Sequence, residues 1–170
     1  MNGGATRILR AGSLTTETFA PYGGIVDTDR AKRALPINQG YTTRFHDLAE
    51  IDVGDGGGKV CVSIFRSKPM PAPVTIRLME RHPLGSQAFI PLERRPYLVV
   101  VAPRGEFNPA KVCAFLARAD QGVNYAKGVW HHFLLALEAP SDFLVIDRNG
   151  PGDNLDEAPL SVREQFVVEF

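Results

Sequence analysis

Four histidines occur in 170 residues, and three of them stand in two short segments rich in other reactive groups. "ERHPLGSQ" carries Glu80, His82 and Gln87, and "GVWHH" carries His131 and His132. Imidazole titrates near neutral pH, so such a set could move protons. Mixed nitrogen and oxygen donors also suit a divalent first-row metal. Which groups can act together depends on strand parity, because alternate side chains of a strand point to opposite faces. From Val74, one face holds Val74, Ile76, Leu78, Glu80 and His82, and the other holds Thr75, Arg77, Met79 and Arg81. In "GVWHHFLLAL", Val129, His131, Phe133, Leu135 and Leu137 alternate with Trp130, His132, Leu134 and Ala136. The neighbouring histidines are therefore expected to part: His131 enters an interior beside Phe133 and Leu135, and His132 faces the opposite layer or a subunit interface.

Two further runs have the same form. "KVCVSIFR" aligns Val60, Val62 and Ile64 with Arg66, and "DFLVIDR" aligns Phe143 and Val145 with Asp147. Apolar faces that each end in an ionisable group suggest a shared polar cavity, since a buried charge is costly unless paired or liganded. Taken singly, each residue has a plainer reading: a hydrogen-bonded core histidine, a solvated strand-end carboxylate, or surface ion pairs for Arg66, Asp147 and Arg148. The conjunction of Glu80, His82, Gln87 and His131 favours a metal or catalytic pocket.

The elements that must position these groups read as short strands. Thirteen prolines and sixteen glycines cut the chain into period-two apolar runs: "KVCVSIF", "VTIRLME", "YLVVVA", "KVCAFLA", "WHHFLLAL" and "DFLVID". That pattern indicates an all-β sandwich or barrel with few short helices. Helical character is confined to "LTTETFAPYG", where Thr15 or Thr16 can cap a turn ahead of Glu17. "EIDVGDGGGK" and "GPGDNLDEAPL" read as loops, and "EQFVVEF" as a closing strand. The length suits a single domain over 1–170, with residues 1–12 expected to be an N-terminal extension. A formal net charge of zero argues against grip on nucleic acid or an anionic membrane. Cys61 and Cys113, in strand-like runs, are expected to be buried thiols in a reducing compartment. With neither a signal-peptide core nor a membrane-length apolar run, the expectation is a soluble cytoplasmic protein.

The two histidine segments resemble the metal motifs of a cupin barrel. Glu80, His82 and Gln87 match the first motif and His131 the second, although Glu80 and Gln87 stand where a typical metal-binding cupin has His and Glu. The longer phrases "ERHPLGSQAFIPL", "QGVNYAKGVWHHFLL", "DFLVIDRNGPGDN", "INQGYTTRFHDLA" and "SIFRS" are similar to the ureidoglycolate lyase family of allantoin degradation. Phe133 departs from the proline expected after the paired histidines. The resemblance implies a cupin-like β-barrel or jelly-roll sandwich, a homodimer, and cleavage of ureidoglycolate to glyoxylate and urea. It leaves open a hydrolase that releases ammonia and a non-catalytic cupin that binds a small carboxylate. Under it, His82, His131 and Glu80 are the expected acid–base residues. Arg66, Arg44, His46, Ser63, Asn124 and His132 are the expected substrate contacts. Glu80, His82, Gln87 and His131 would hold a divalent metal (nickel, zinc or manganese) if one is used.

Overall fold

The computed structural model describes residues 7–170. In chain order the strands are β1 (Arg7–Ser13), β2 (Gly23–Val26), β3 (Ala34–Ile37), β4 (Thr42–Phe45), β5 (Lys59–Ser67), β6 (Thr75–Ile76), β7 (Leu78–Arg81) and β8 (Gln87–Pro91). They continue as β9 (Tyr97–Ala102), β10 (Cys113–Ala117), β11 (Gly122–Tyr125), β12 (Trp130–His131), β13 (Leu135–Ala136), β14 (Ser141–Asn149), β15 (Asp156–Pro159) and β16 (Phe166–Glu169). Among the described residues the one α-helix, α1 (Thr16–Phe19), is a single turn capped by Thr15, whose hydroxyl accepts from the Thr18 backbone N–H. The all-β expectation holds. The closing strand is β16, and the Gly-rich "DGG" is a short turn.

The strands form a nine-stranded sheet (β15-β7-β12-β9-β10-β1-β16-β6, with β13 also on β9), a five-stranded sheet (β2-β11-β8-β14-β5) and the separate β3–β4 hairpin. Only Arg77 separates β6 from β7, although they lie near opposite ends of the larger sheet, so that sheet must curl round. Its central strand β9 is apolar throughout because it is buried on both faces. Leu98, Val100 and Ala102 pack with Ile76, Met79, Trp130 and Leu135. Tyr97, Val99 and Val101 pack with Phe89, Val123, Tyr125, Phe143 and Val145 of the smaller sheet. The curled, two-core β architecture is cupin-like.

Several sequence expectations are corrected here. Residues 7–12, expected to lie outside the fold, belong to β1, which pairs in parallel with both β10 and β16; residues 1–6 lie outside the described residues. The long faces drawn from strict alternation are interrupted. The chain breaks at Arg77, so Ile76 and Met79 share one core while Glu80 turns to the other side. It breaks again over residues 132–134, which moves Leu135 into Trp130's core rather than beside His131. On β5 the expected inward face points outward: Val60, Val62 and Ile64 are 57%, 64% and 54% exposed. The inward row is Cys61, Ser63 and Phe65, set by the pairing of Ser63 with Val145 and Phe65 with Phe143. Both cysteines are half-buried and free.

The two-faced core gives a stability expectation. Ile76→Ala, at a fully buried position, should cost about 2–5 kcal/mol in urea unfolding, whereas Val162→Ala at 85% exposure should stay within about 0.5 kcal/mol. Equal shifts for the two would contradict the packing.

Candidate active site

Register fixes which side chains meet. Glu80 pairs with His131, and His131 pairs with Val101 of the second core. Antiparallel partners share a face, so Glu80 and His131 both look toward the smaller sheet. Across from them, Gln87 pairs with Tyr125, and both point inward. His82, just beyond β7, completes the group: its ring centroid lies 5.2 Å from that of His131. Donor atoms of Glu80, His82 and His131 lie within 4.8 Å of one another. Of the three, Glu80 lines the mouth of a cavity of about 230 Å³ together with Gln87, Phe65, Phe89, Phe133 and Leu134, and the two imidazoles lie behind it. Phe133, where proline was expected, forms part of that mouth and is 44% exposed.

The protonation of the set follows from its partners. His131 is 1% exposed and stacks on Tyr125, with centroids 4.4 Å apart and planes 4° from parallel. Burial, then the neighbouring His82, pull its pKa down to about 3, so the ring is neutral at physiological pH. Its Nδ1 lies 3.2 Å from the His132 carbonyl oxygen, an acceptor, so Nδ1 carries the hydrogen. That leaves Nε2 a bare lone pair, buried and without a partner. The 3.8 Å separation between His131 Nδ1 and Glu80 Oε1 is then no ion pair, because the ring is uncharged. Burial raises the Glu80 pKa, opposed by His82 and reinforced by Glu157, its cross-strand neighbour.

His82 sits between acceptors. Its Nδ1 is 2.7 Å from the Asn154 carbonyl, and its Nε2 is 3.2 Å from Gln87 Oε1. The Gln87 amide is oriented by Asp147, whose Oδ2 accepts from Nε2 at 3.2 Å. Between these two acceptors, Nε2 is placed to share a cation with Gln87 Oε1. The orphaned lone pair of His131 Nε2 and the Glu80 carboxylate complete a donor set that fits a divalent ion. Asp147, Asn154, Glu157 and Tyr125 therefore shape the site from behind.

The remaining expected contacts divide. Ser63 faces the interior, 3.7 Å from Cys61 Sγ. Arg66 reaches the rim of the mouth from the outer face, and Asp142 holds its guanidinium through bonds of 2.7 and 2.8 Å. Asn124 pairs with Ala88 in the outward row, and its Nδ2 donates to the Glu50 carbonyl. It lines a separate cleft of about 640 Å³, the larger of the two. There Arg30 pairs with Asp27, and Lys127 with Asp52 and Asp55, and none of the four histidines lines the cleft. Arg148 is buried rather than ion-paired at the surface, donating to the carbonyls of Asp55 and Pro151. His132 is buried away from the cavity, with Nδ1 on the Phe133 carbonyl. Arg44 is exposed on β4, and His46 lies at the foot of that hairpin with its N–H on the Arg33 carbonyl.

Burial drives the His132 pKa down to about 4 as well. Below about pH 6.5 the unfolded chain binds protons that folded His131 and His132 refuse, so stability falls as pH drops from 6.5 toward 3. Each ring contributes up to about 1.4 kcal/mol per pH unit between 6.5 and its own folded value, about 3 for His131 and about 4 for His132, and nothing above 6.5. In chelator-treated protein the urea midpoint should drop between pH 7 and 5, less steeply in His132→Gln. A flat midpoint would contradict neutral buried rings.

The family model described as ureidoglycolate lyase matches residues 6–169. A ureidoglycolate lyase of Burkholderia cepacia is 60% identical over 97% of this chain and 92% of its own length. Those of Burkholderia mallei and Brucella ovis are 56% and 54% identical, over 86% and 85% of each chain respectively. Among solved structures, oxalate decarboxylase of Lactobacillus farciminis aligns with TM-score 0.40 at 13% identity, covering 59% of this chain and 26% of that one. The Bacillus subtilis oxalate decarboxylase, described with Mn(II) centres, gives 0.41 at 12% identity, over 81% and 28%. The structural likenesses carry no inference about chemistry. With both the family model and the close relatives spanning nearly its whole length, the chain belongs to the ureidoglycolate lyase family.

Proposed function

We propose that this chain is a carbon–nitrogen lyase that splits ureidoglycolate into glyoxylate and urea, within allantoin-derived purine nitrogen breakdown. The observation that carries the reading is the clustering of Glu80, His82 and His131 within 4.8 Å, with Glu80 and Gln87 lining a cavity of about 230 Å³. The substrate carries carboxylate, hydroxyl and ureido groups on one carbon. Elimination removes the hydroxyl proton, forms the C=O bond and breaks the C–N bond, and the departing urea nitrogen takes a proton.

Glu80, with its raised pKa, suits acceptance of the hydroxyl proton. His82 is the group assigned to pass a proton to the departing nitrogen, and the bare Nε2 of His131 accepts a hydrogen bond without competing as an acid. Glu80, His82, Gln87 and His131 would hold a divalent cation such as nickel, zinc or manganese, and a bound cation would lower the hydroxyl pKa. The substrate carboxylate calls for a guanidinium, whose planar fork meets two oxygens. Arg44, with His46 nearby, fits better than Arg66, because Asp142 already occupies Arg66. Ser63 is the inward hydroxyl of β5 available to the substrate. A homodimer in the cytoplasm is the expected setting; among the described residues no helix is long and apolar enough to cross a membrane.

The test is turnover of racemic ureidoglycolate by purified protein, with and without chelator, scoring urea against ammonia. Urea and glyoxylate in equal amounts are expected. Ammonia without urea would replace the lyase with a hydrolase, and saturable glyoxylate binding without turnover would leave a carboxylate-binding protein. Glu80→Gln and His131→Ala should each lower turnover by about two to four powers of ten with folding intact. Unchanged activity in both would remove the chamber from the reaction.

A further inference from the structure

We infer that each chamber is completed by a second copy of this chain, whose β3–β4 hairpin crosses the partner's β5 and brings Arg44 to its mouth. The inference rests on the reading of the chamber as a site for a carboxylate substrate. Among the described residues lining the mouth, the single cation is Arg66, which Asp142 already binds through both oxygens. Arg148 is spent on loop carbonyls, and Arg81 on Asp156 and the Gly105 carbonyl, behind the sheet. An anionic substrate beside the Glu80 carboxylate therefore lacks a free guanidinium within the same protomer.

The hairpin supplies one, and it cannot readily do so in its own protomer. No residue of 34–46 lines the mouth. The segments flanking the hairpin, Arg30 to Lys32 and Asp47 to Glu50, line the cleft beside Gly23 and Gly24 of β2. β2 and β5 are opposite edges of the five-stranded sheet, so the hairpin is rooted about 19 Å from β5 at the usual strand spacing. Both of its strands are almost wholly exposed, with Tyr41 at 91%, and no side-chain hydrogen bond among the described residues ties it to either sheet. Its tip holds Asn38, Gln39 and Gly40 at positive φ (50°, 59° and 90°), a costly run for non-glycine residues unless surroundings stabilise it. Arg44 shares a face with Leu35, Ile37 and Thr42, an apolar surface carrying one guanidinium.

β5 presents the matching surface. It is nine residues long, unpaired along one edge, and shows Val60, Val62 and Ile64 to solvent, with Phe65 also 39% exposed on the inward side. A long edge with apolar exposure on both faces is what folded proteins cover. Two-fold pairing satisfies both features at once: each hairpin covers the other copy's β5, and the contact is made twice.

Arg44→Ala and Glu80→Gln chains, each inactive alone, would be co-expressed with different tags and the heterodimer purified through both. If Arg44 serves the partner's chamber, one site of the pair is whole, and turnover should return to about half that of wild type. No recovery above the parents would place Arg44 in its own chamber and overturn the proposal. Separately, Val62→Asp should sediment as a monomer with unchanged far-ultraviolet circular dichroism and lose turnover. A monomeric wild type, or a fully active Val62→Asp monomer, would equally sink it. Wild-type chain that releases no urea would fail the reaction assigned above, whereas the sedimentation of wild type and Val62→Asp reads the interface regardless.

Discussion

Burial of β9 on both faces is the constraint from which the site follows. A one-residue slip exchanges the two faces of a strand, and here it would drive Tyr97, Val99 and Val101 into the core built for Leu98, Val100 and Ala102. The register of β9 is thereby pinned, and with it that of the two-residue β12 through the pairs of Trp130 with Ala102 and His131 with Val101. Trp130 is held on the far side by its indole N–H donating to the Gly105 carbonyl and by Arg81 over its ring. His131 has no other place to go than the chamber, and Glu80 follows it as a cross-strand partner.

The groups so placed stay reactive because their partners are incomplete. His131 has one ring nitrogen tied to a carbonyl and one left bare in a site with no water access. His82 is flanked by acceptors, which favours a cation at the nitrogen facing Gln87. Glu80 sits beside Glu157 and is half-buried, so its proton is held more tightly than that of a solvated carboxyl. Outer groups fix these choices: Asp147 turns the Gln87 amide, and Asn154 both receives His82 and caps the Leu84 N–H. Such second-layer contacts commonly set the orientation and basicity of a site.

Much of this was legible in the chain. The run "YLVVVA" read as a strand and is one, the helix starts at the first of the two threonines offered as caps, and Glu80, His82 and His131, singled out together in the chain, lie close in space. Parity reasoning failed wherever it assumed an unbroken strand, because alternation restarts after Arg77 and after residues 132–134. It also failed on β5, where an apolar row was taken for core and points outward instead. Period-two pattern reports that a face is apolar, not which neighbour covers it. Asp147, aligned with Phe143 and Val145 by alternation, does meet the site through Gln87, whereas Tyr125 and Asn154 reach it through pairing and a loop that no local pattern encodes. Asn124 lay in a phrase that resembles the family, but its parity opposite Tyr125 turns it to the outer cleft.

The central claim is that one chamber, not the larger cleft around Asn124, receives the small acid. Imidazole nitrogen resonances of His82 and His131, followed by NMR during titration with glyoxylate, test it most directly. Both should shift saturably, with His132 and the backbone amides of Asn124 and Lys127 unmoved. Shifts confined to Asn124 and Lys127, with the two imidazoles silent, would contradict the account.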